Sequence, residues 1–389
     1  MQQKVRILSV GIGGYAAIYL KALLQEHPRD DVEFVGMVDV MPQNSPFYAT
    51  LQAMGVPLFS TMEEFYAHGS ADLAIITTPT HLHTRQILCA LGHGSNVMCE
   101  KPLSGISADG EILAAAAKEA GKFVMIGYQW SYSEAILSLK RDVMQGVYGA
   151  PVFLKSMVLW PRPVSYYTRG SGWGGKKFTP EGDVLNDSVV SNATAHYLHN
   201  MLYVTGGADG KAAEVTDLTC DLSRINAIET YDTAAFRFTL DNGARGLYLA
   251  THASADNIDP MFDYRFTRGS VHFDSESKRI VGVTDDGRTI DYGDPFHDVN
   301  EKIYVAIEAV KRGQPYEPPC GVLTAAPQVR AVEMIARQPI SVGRACAIDR
   351  VERGGTTFLS LRGLTALFKE CYEKEILPRE TDAWKEMVE

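Results

Sequence analysis

The sequence predicts an α/β chain in two parts: an N-terminal doubly wound parallel sheet, then an α+β domain built on an open, mostly antiparallel sheet. Three observations carry this reading. Over roughly the first 128 residues, short apolar runs rich in β-branched residues alternate with helically spaced stretches, the pattern of strands joined by crossover helices. Beyond them, short strand-like runs cluster around turn signals such as Asp241-Asn242-Gly243. A chain of 389 residues, 46% hydrophobic and 22% charged, is also long enough to bury two cores. We therefore expect a first domain over residues 1–128, a second over 129–340, and a C-terminal extension, 341–389, with no assigned role.

In order, KVRILSV (4–10) reads as a strand, GIGGYA (11–16) as a turn and IYLKALLQE as a helix. The strand VEFVGMVDV follows, then VPLF, a short helix around TMEEFYAHG, the strand ADLAIITTP (71–79) and a helix from about His83 to Gly92. The strand NVMCEKP comes next, then the helix ADGEILAAAAKEAG and the strand KFVMIGYQW. In such a sheet ligands gather at the carboxyl ends of the strands, where Thr77, Thr78, Pro79, Glu100 and Lys101 fall. After a helix around SEAILSLKRDVMQG and the strand PVFLKSMVLW, a long loop rich in glycines, aromatics and cations precedes a helical segment from about Asp187 to Thr205. Strand-like runs AAFRFTL, ARGLYLATH, DYRFTRGSVHF and RIVGVT come next, then helical stretches near 299–312 and 322–338.

The first turn carries chemistry. Gly11, Gly13 and Ala16 hold the three special places of a GxGxxG/A fingerprint: a tight turn, close approach of backbone to a pyrophosphate, and close packing of helix on strand. Gly14 and Tyr15 lie inside the same turn and join the candidate cofactor contacts. About twenty residues on, the second strand ends in Asp39, placed to accept hydrogen bonds from ribose hydroxyls. Its charge repels a 2'-phosphate, and Val40 and Met41 supply no compensating cation. NAD is thus expected over NADP.

A second stretch, NATAHYLHNMLYVTG (192–206), spaces Asn192, His196, His199 and Tyr203 by four, three and four, which puts them on one face of a regular helix. A polar stripe on an otherwise apolar helix needs paired partners or a function.

These residues together resemble the Gfo/Idh/MocA oxidoreductases: the GIGGYA fingerprint with Asp39, TPTHLH (78–83), the EKP of Glu100, Lys101 and Pro102, and NATAH. The resemblance spans about residues 4–340, and EKP is its most specific motif. It implies a Rossmann domain followed by an open-faced α/β domain. It also implies that Thr78, Pro79, His83, Glu100 and Lys101 join the cofactor site, and that Lys101 and His196 face the nicotinamide. In an alcohol oxidation His196 would be the general base, while Lys101 would hold the substrate oxygen and stabilise the developing alkoxide. The family's helix motif DxGxHxxD falls on Asn192, Thr194, His196 and His199, so two aspartates are replaced; Asn192 can orient the imidazole but cannot support it by charge. The implied assembly is a homodimer or homotetramer joined through the open sheet.

The loop residues Arg162, Tyr166, Arg169 and Trp173, with Trp130 after the last strand of the first domain, are candidate substrate contacts beside Lys101, Asn192, His196 and His199. Aromatic rings stack on sugar faces and guanidinium groups hold hydroxyls or carboxylates. The expected substrate is a sugar, polyol or sugar acid. Three alternatives stay open: redox-neutral lyase, epimerase or glycosidase chemistry with retained NAD; a dinucleotide sensor without catalysis; and a metal enzyme using His81 with His83 or His196 with His199. No metal is expected, since the resemblance places His81 and His83 on a Rossmann edge without the clustered carboxylates that a closed site wants.

The formal charge of -10, without a long basic block, argues against nucleic acid as a partner. No apolar run is long enough to span a bilayer and the N-terminus does not read as a signal peptide, so no membrane association and a cytoplasmic location are expected. The six cysteines show no paired spacing and are expected to be reduced.

Overall fold

The computed structural model describes residues 4–168, 172–297, 299–313 and 315–389. They form two compact units, one comprising residues up to Tyr132 together with a return through Ala326, the other the remainder.

The first unit is a six-stranded parallel sheet of β1 (Val5–Val10), β2 (Val32–Val38), β3 (Leu58–Phe59), β4 (Leu73–Ile76), β5 (Asn96–Cys99) and β6 (Val124–Ile126), in the order β3-β2-β1-β4-β5-β6. This is the order of doubly wound dinucleotide-binding sheets, whose order reverses beside the first strand and leaves a crevice at the carboxyl ends. All four residues of β4 and all four of β5 are buried, which is why they read as unbroken apolar runs instead of alternating ones. The unit is completed from far along the chain. The helix Glu301–Arg312 buries Ile303, Ala306 and Ile307, and its Glu308 pairs with Arg29 at 2.5 Å. The backbone of Cys320 accepts a hydrogen bond from Ile126 at 2.9 Å, closing the edge at β6.

The second unit is a nine-stranded mixed sheet. Its strands are β7 (Pro151–Leu159), β8 (Val215–Arg224), β9 (Thr233–Leu240), β10 (Arg245–Thr251), β11 (Ile258–Phe266), β12 (Gly269–Asp274), β13 (Arg279–Thr284), β14 (Thr289–Gly293) and β15 (Ser341–Val342). They lie in the order β14-β13-β12-β11-β7-β10-β9-β8-β15, antiparallel except for the pairs β7 with β10 and β8 with β15. The expected α/β class, a parallel sheet followed by a mostly antiparallel one, is what the chain forms.

The tail is an integral part of this second unit. It makes the hairpin β16 (Ile348–Arg353) with β17 (Thr356–Leu361), then helices Leu364–Lys374 and Asp382–Met387. With period two, Phe153, Met157 and Leu159 of β7 and Leu247 and Leu249 of β10 point to one face, and Leu364, Leu367, Phe368, Cys371, Trp384 and Met387 of the tail pack on them. The intervening Tyr248 faces the other way and donates its hydroxyl to the carbonyl of Thr194, 2.7 Å away. The central strands are therefore covered on both faces.

Candidate functional site

In the first unit the glycine turn has the geometry that its fingerprint requires. Gly11 has a φ of +82°, and a Cβ there would lie 2.8 Å from Oγ1 of Thr77, so both conformation and space demand glycine. A Cβ on Gly13 would meet no protein atom within 4 Å; a side chain there would fill the approach by which backbone reaches a phosphate. Ala16 is buried, as close packing of helix on strand needs. The turn is held by Asp39, whose Oδ2 accepts from the amide of Ile12 at 2.8 Å and whose Oδ1 accepts from Met41 at 2.8 Å. Each oxygen keeps a second lone pair for a ribose hydroxyl. The donor set thus fits a dinucleotide.

The loops after β4 and β5 are tied together by His83. Its Nε2 lies 2.8 Å from the carbonyl of Thr78 and its Nδ1 2.8 Å from that of Pro102. The ring is buried, and burial holds its pKa below the ordinary histidine value. His83 thus lies between the Thr78–Pro79 loop and the Lys101–Pro102 peptide, which is cis. Thr78 donates its hydroxyl to Oε1 of Gln86.

Glu100 is enclosed. Its Oε1 accepts from the Tyr19 hydroxyl and from Lys302 Nζ at 2.7 Å, and its Oε2 lies 3.2 Å from the Lys101 amide. Burial and the neighbouring Glu100 carboxylate push the Tyr19 hydroxyl pKa well up, so it stays a donor. Tyr15 of the glycine turn receives a hydrogen bond from Lys302 at 3.2 Å and reaches Oε1 of Gln129 at 3.4 Å. Lys101 itself is partly exposed at the end of this brace, and Trp130 is buried.

In the second unit the expected regular stripe is broken. Val189–Ala193 form a wide π turn, and the α-helix runs only from Ala195 to Thr205, so Asn192 is out of helical register with His196. The physical cause lies in its caps: Ser188 accepts from the amide of Ser191, and Thr194 Oγ1 donates to the carbonyl of Val189 at 2.6 Å. Asn192 donates its amide to Oδ1 of Asp187 at 2.9 Å, so a carboxylate stands one hydrogen bond from the replaced position. His199 is 1% exposed and stacks on Tyr203 at 5.7 Å between centroids; burial, then the Lys140 ammonium, holds its pKa down to about 3. Its ring is therefore neutral near pH 7.

A chain of rings brings together other candidates. His196 meets Tyr197 at 6.4 Å, Tyr197 meets Trp160 at 5.6 Å, and the Arg162 guanidinium lies over Trp160 and Tyr166 at 5.6 and 5.4 Å. Tyr166 in turn faces His252 at 5.6 Å, and His252 Nδ1 lies 2.8 Å from the Trp160 carbonyl. Sequence reasoning did not single out Trp160, Tyr197 or His252. The available signal was that Trp160 and His252 directly follow β7 and β10, which run parallel and end side by side. Trp173 is half-buried in the following loop, and Arg169 lies outside the described residues. Among the described residues no group of three or more His, Cys, Asp or Glu is arranged to hold a metal, and no helix is long and apolar enough to cross a membrane.

The fold and the turn define the class: an NAD-binding-type Rossmann unit joined to a mixed-sheet unit. Residues 5–128 match the model of the Gfo/Idh/MocA family, described as an oxidoreductase family with an NAD-binding Rossmann fold. The resemblance read from the sequence is thereby borne out over these residues, which match that family's NAD-binding domain. An inositol 2-dehydrogenase of Burkholderia multivorans is 28% identical over 152 residues, 38% of this chain and 44% of that protein. The match thus spans less than half of that curated relative. Among solved structures, the WlbA dehydrogenase of Bordetella pertussis, in complex with NADH and UDP-GlcNAcA, is 23% identical with a TM-score of 0.66 over 85% of this chain and 94% of that one. The aldose-aldose oxidoreductase of Caulobacter crescentus, complexed with glycerol, is 19% identical with a TM-score of 0.67 over 86% and 97%. At these identities the two structures share the fold.

Proposed function

We propose that the chain is an NAD-dependent oxidoreductase that moves a hydride between a hydroxyl-bearing carbon of a sugar, polyol or sugar acid and nicotinamide. The observation that carries this reading is the paired construction of the first unit: a glycine turn with room at Gly13 and a carboxylate anchor at Asp39, beside a strand end that presents Lys101. Bound NAD supplies the hydride acceptor. Asp39 selects it over NADP, because its charge repels a 2'-phosphate and the exposed Val40 and Met41 offer no cation. The Lys101 ammonium stabilises the alkoxide that develops as hydride leaves, and His196 accepts the hydroxyl proton. Arg162, Tyr166 and the rings of Trp160 and Tyr197 are the contacts we assign to the polyhydroxylated substrate. Relatives such as the inositol 2-dehydrogenase, and neighbours solved with a sugar nucleotide or glycerol, support that substrate class. In the homo-oligomer expected from the family, an association through the second sheet would engage the tail or the strands beyond β11, since the central strands are covered.

The test is a screen of sugars, inositols and sugar acids for NADH formation, followed by Lys101→Ala on any substrate found. Turnover should fall to background with NAD affinity nearly unchanged; undiminished turnover in the variant overturns the assignment.

A further inference from the structure

Lys302 belongs to no motif, yet its side chain is 0% exposed and all three donors of its ammonium are used. It gives them to Glu100 Oε1 at 2.7 Å, the Gly127 carbonyl at 3.1 Å and the Tyr15 hydroxyl at 3.2 Å. The Tyr15 and Tyr19 rings flank it at 4.6 and 5.2 Å. Gly127 makes room for the pair, since a Cβ there would lie 2.7 Å from Glu100 Oε1. One cation therefore joins three pieces of backbone: the glycine turn through Tyr15, the end of β5 through Glu100, and the end of β6 through Gly127.

Stability alone does not explain this. A buried ion pair replaced by apolar side chains of similar volume is often no less stable, because desolvating two charges cancels their attraction. What an ammonium provides and a methyl group does not is direction: three fixed hydrogen bonds that set the glycine turn against the strand end carrying Lys101.

We propose that Lys302 is a positioning residue for the nicotinamide half of the dinucleotide cradle, holding the Tyr15 turn and the Glu100–Lys101 strand end in one geometry. The inference rests on the NAD reading above and extends it to a residue two hundred positions from the motif that it serves. On the adenosine side the same turn has a second brace that does not involve Lys302, Asp39 on the Ile12 and Met41 amides. The two halves should therefore respond differently when Lys302 is changed.

The experiment is a fluorescence titration with NADH and a calorimetric titration with ADP-ribose, on the full chain and on Lys302→Met, Lys302→Arg and the double variant Glu100→Gln/Lys302→Met. The double variant removes both charges and keeps the test decisive if the single one does not fold. NADH should bind roughly tenfold more weakly in whichever methionine variant folds, ADP-ribose should bind as in the unchanged chain, and Arg should recover part of the loss. Equal weakening of both ligands, or of neither, overturns the proposal and leaves the cofactor reading standing. An unchanged chain that binds neither ligand overturns both.

Discussion

The two units each contain a network of charged side chains on aromatic neighbours, and the networks differ in water. In the first, Lys302 and Glu100 have side chains 0% and 8% exposed, and every ammonium donor has a fixed partner. In the second, where the tail meets the outer strands, His272 sits between Asp263 at 2.5 Å and Asp274 at 3.2 Å, and Tyr372 donates to Asp263 at 2.7 Å. Lys155 stands 3.8 Å from Asp263 and 3.9 Å from Glu375, and the His272 side chain is 48% exposed. Similar groups thus make an all-or-none device in one place and a graded one in the other. When water can replace a lost partner the loss is small, and when it cannot, the remaining charge bears the whole desolvation cost.

The largest expected effect follows from the dry network. Glu100→Ala leaves the Lys302 ammonium buried with only neutral partners, and should cost about 4 kcal/mol of stability. Urea denaturation of the variant checks this; a loss no larger than that of a surface ion pair would mean that water reaches the site, and the contrast between the two networks would collapse.

The same contrast explains what could be read from the sequence. The glycine turn, Asp39 and the EKP strand end were legible because each is a local pattern in which residue type, spacing and secondary structure agree. The brace was not, because Glu100 and Lys302 are joined only by the return of a helix about two hundred residues later. A faint signal existed: Lys302 shares the face of Ile303, Ala306 and Ile307, a lysine in register with an apolar stripe. The stripe from Asn192 to Tyr203 is interrupted at its first member for a related reason. Its spacing assumed an unbroken helix, whereas the hydroxyls of Ser188 and Thr194 bond backbone and stabilise a π turn that shifts Asn192. The role of the tail was hidden too, since an amphipathic helix shows that it has an apolar face but not which sheet will receive it.

An intermediate effect is expected at His199, which is dry like the brace but neutral. Its pKa, held down to about 3 by burial and by Lys140, lies below the value of about 6.5 in an unfolded chain. Below pH 6.5 the unfolded state binds a proton that the folded state refuses, so stability falls as pH falls through that window, by about 1.4 kcal/mol per pH unit until the folded value is reached. His199→Leu should remove that slope between pH 6.5 and 4.5 in urea titrations. Equal slopes in variant and parent would show that the ring is hydrated in the folded chain.

The smallest effect belongs to the wet network, with the opposite sign. Hydrogen bonding to Asp263, then the nearby carboxylates, raises the pKa of His272 above 6.5 although burial opposes it. A folded value above the unfolded one means that the stabilisation is fully present below pH 6.5 and is lost as pH rises through the folded value. Half-exposure and salt screening limit it to under about 1 kcal/mol. His272→Ala should therefore be slightly less stable than the parent at pH 6, equal to it at pH 9, and closer to it at pH 6 in 1 M salt. A larger loss that persists at pH 9 would mean that the imidazole acts by packing the tail against β11 and β12, and that this network too is governed by burial instead of charge.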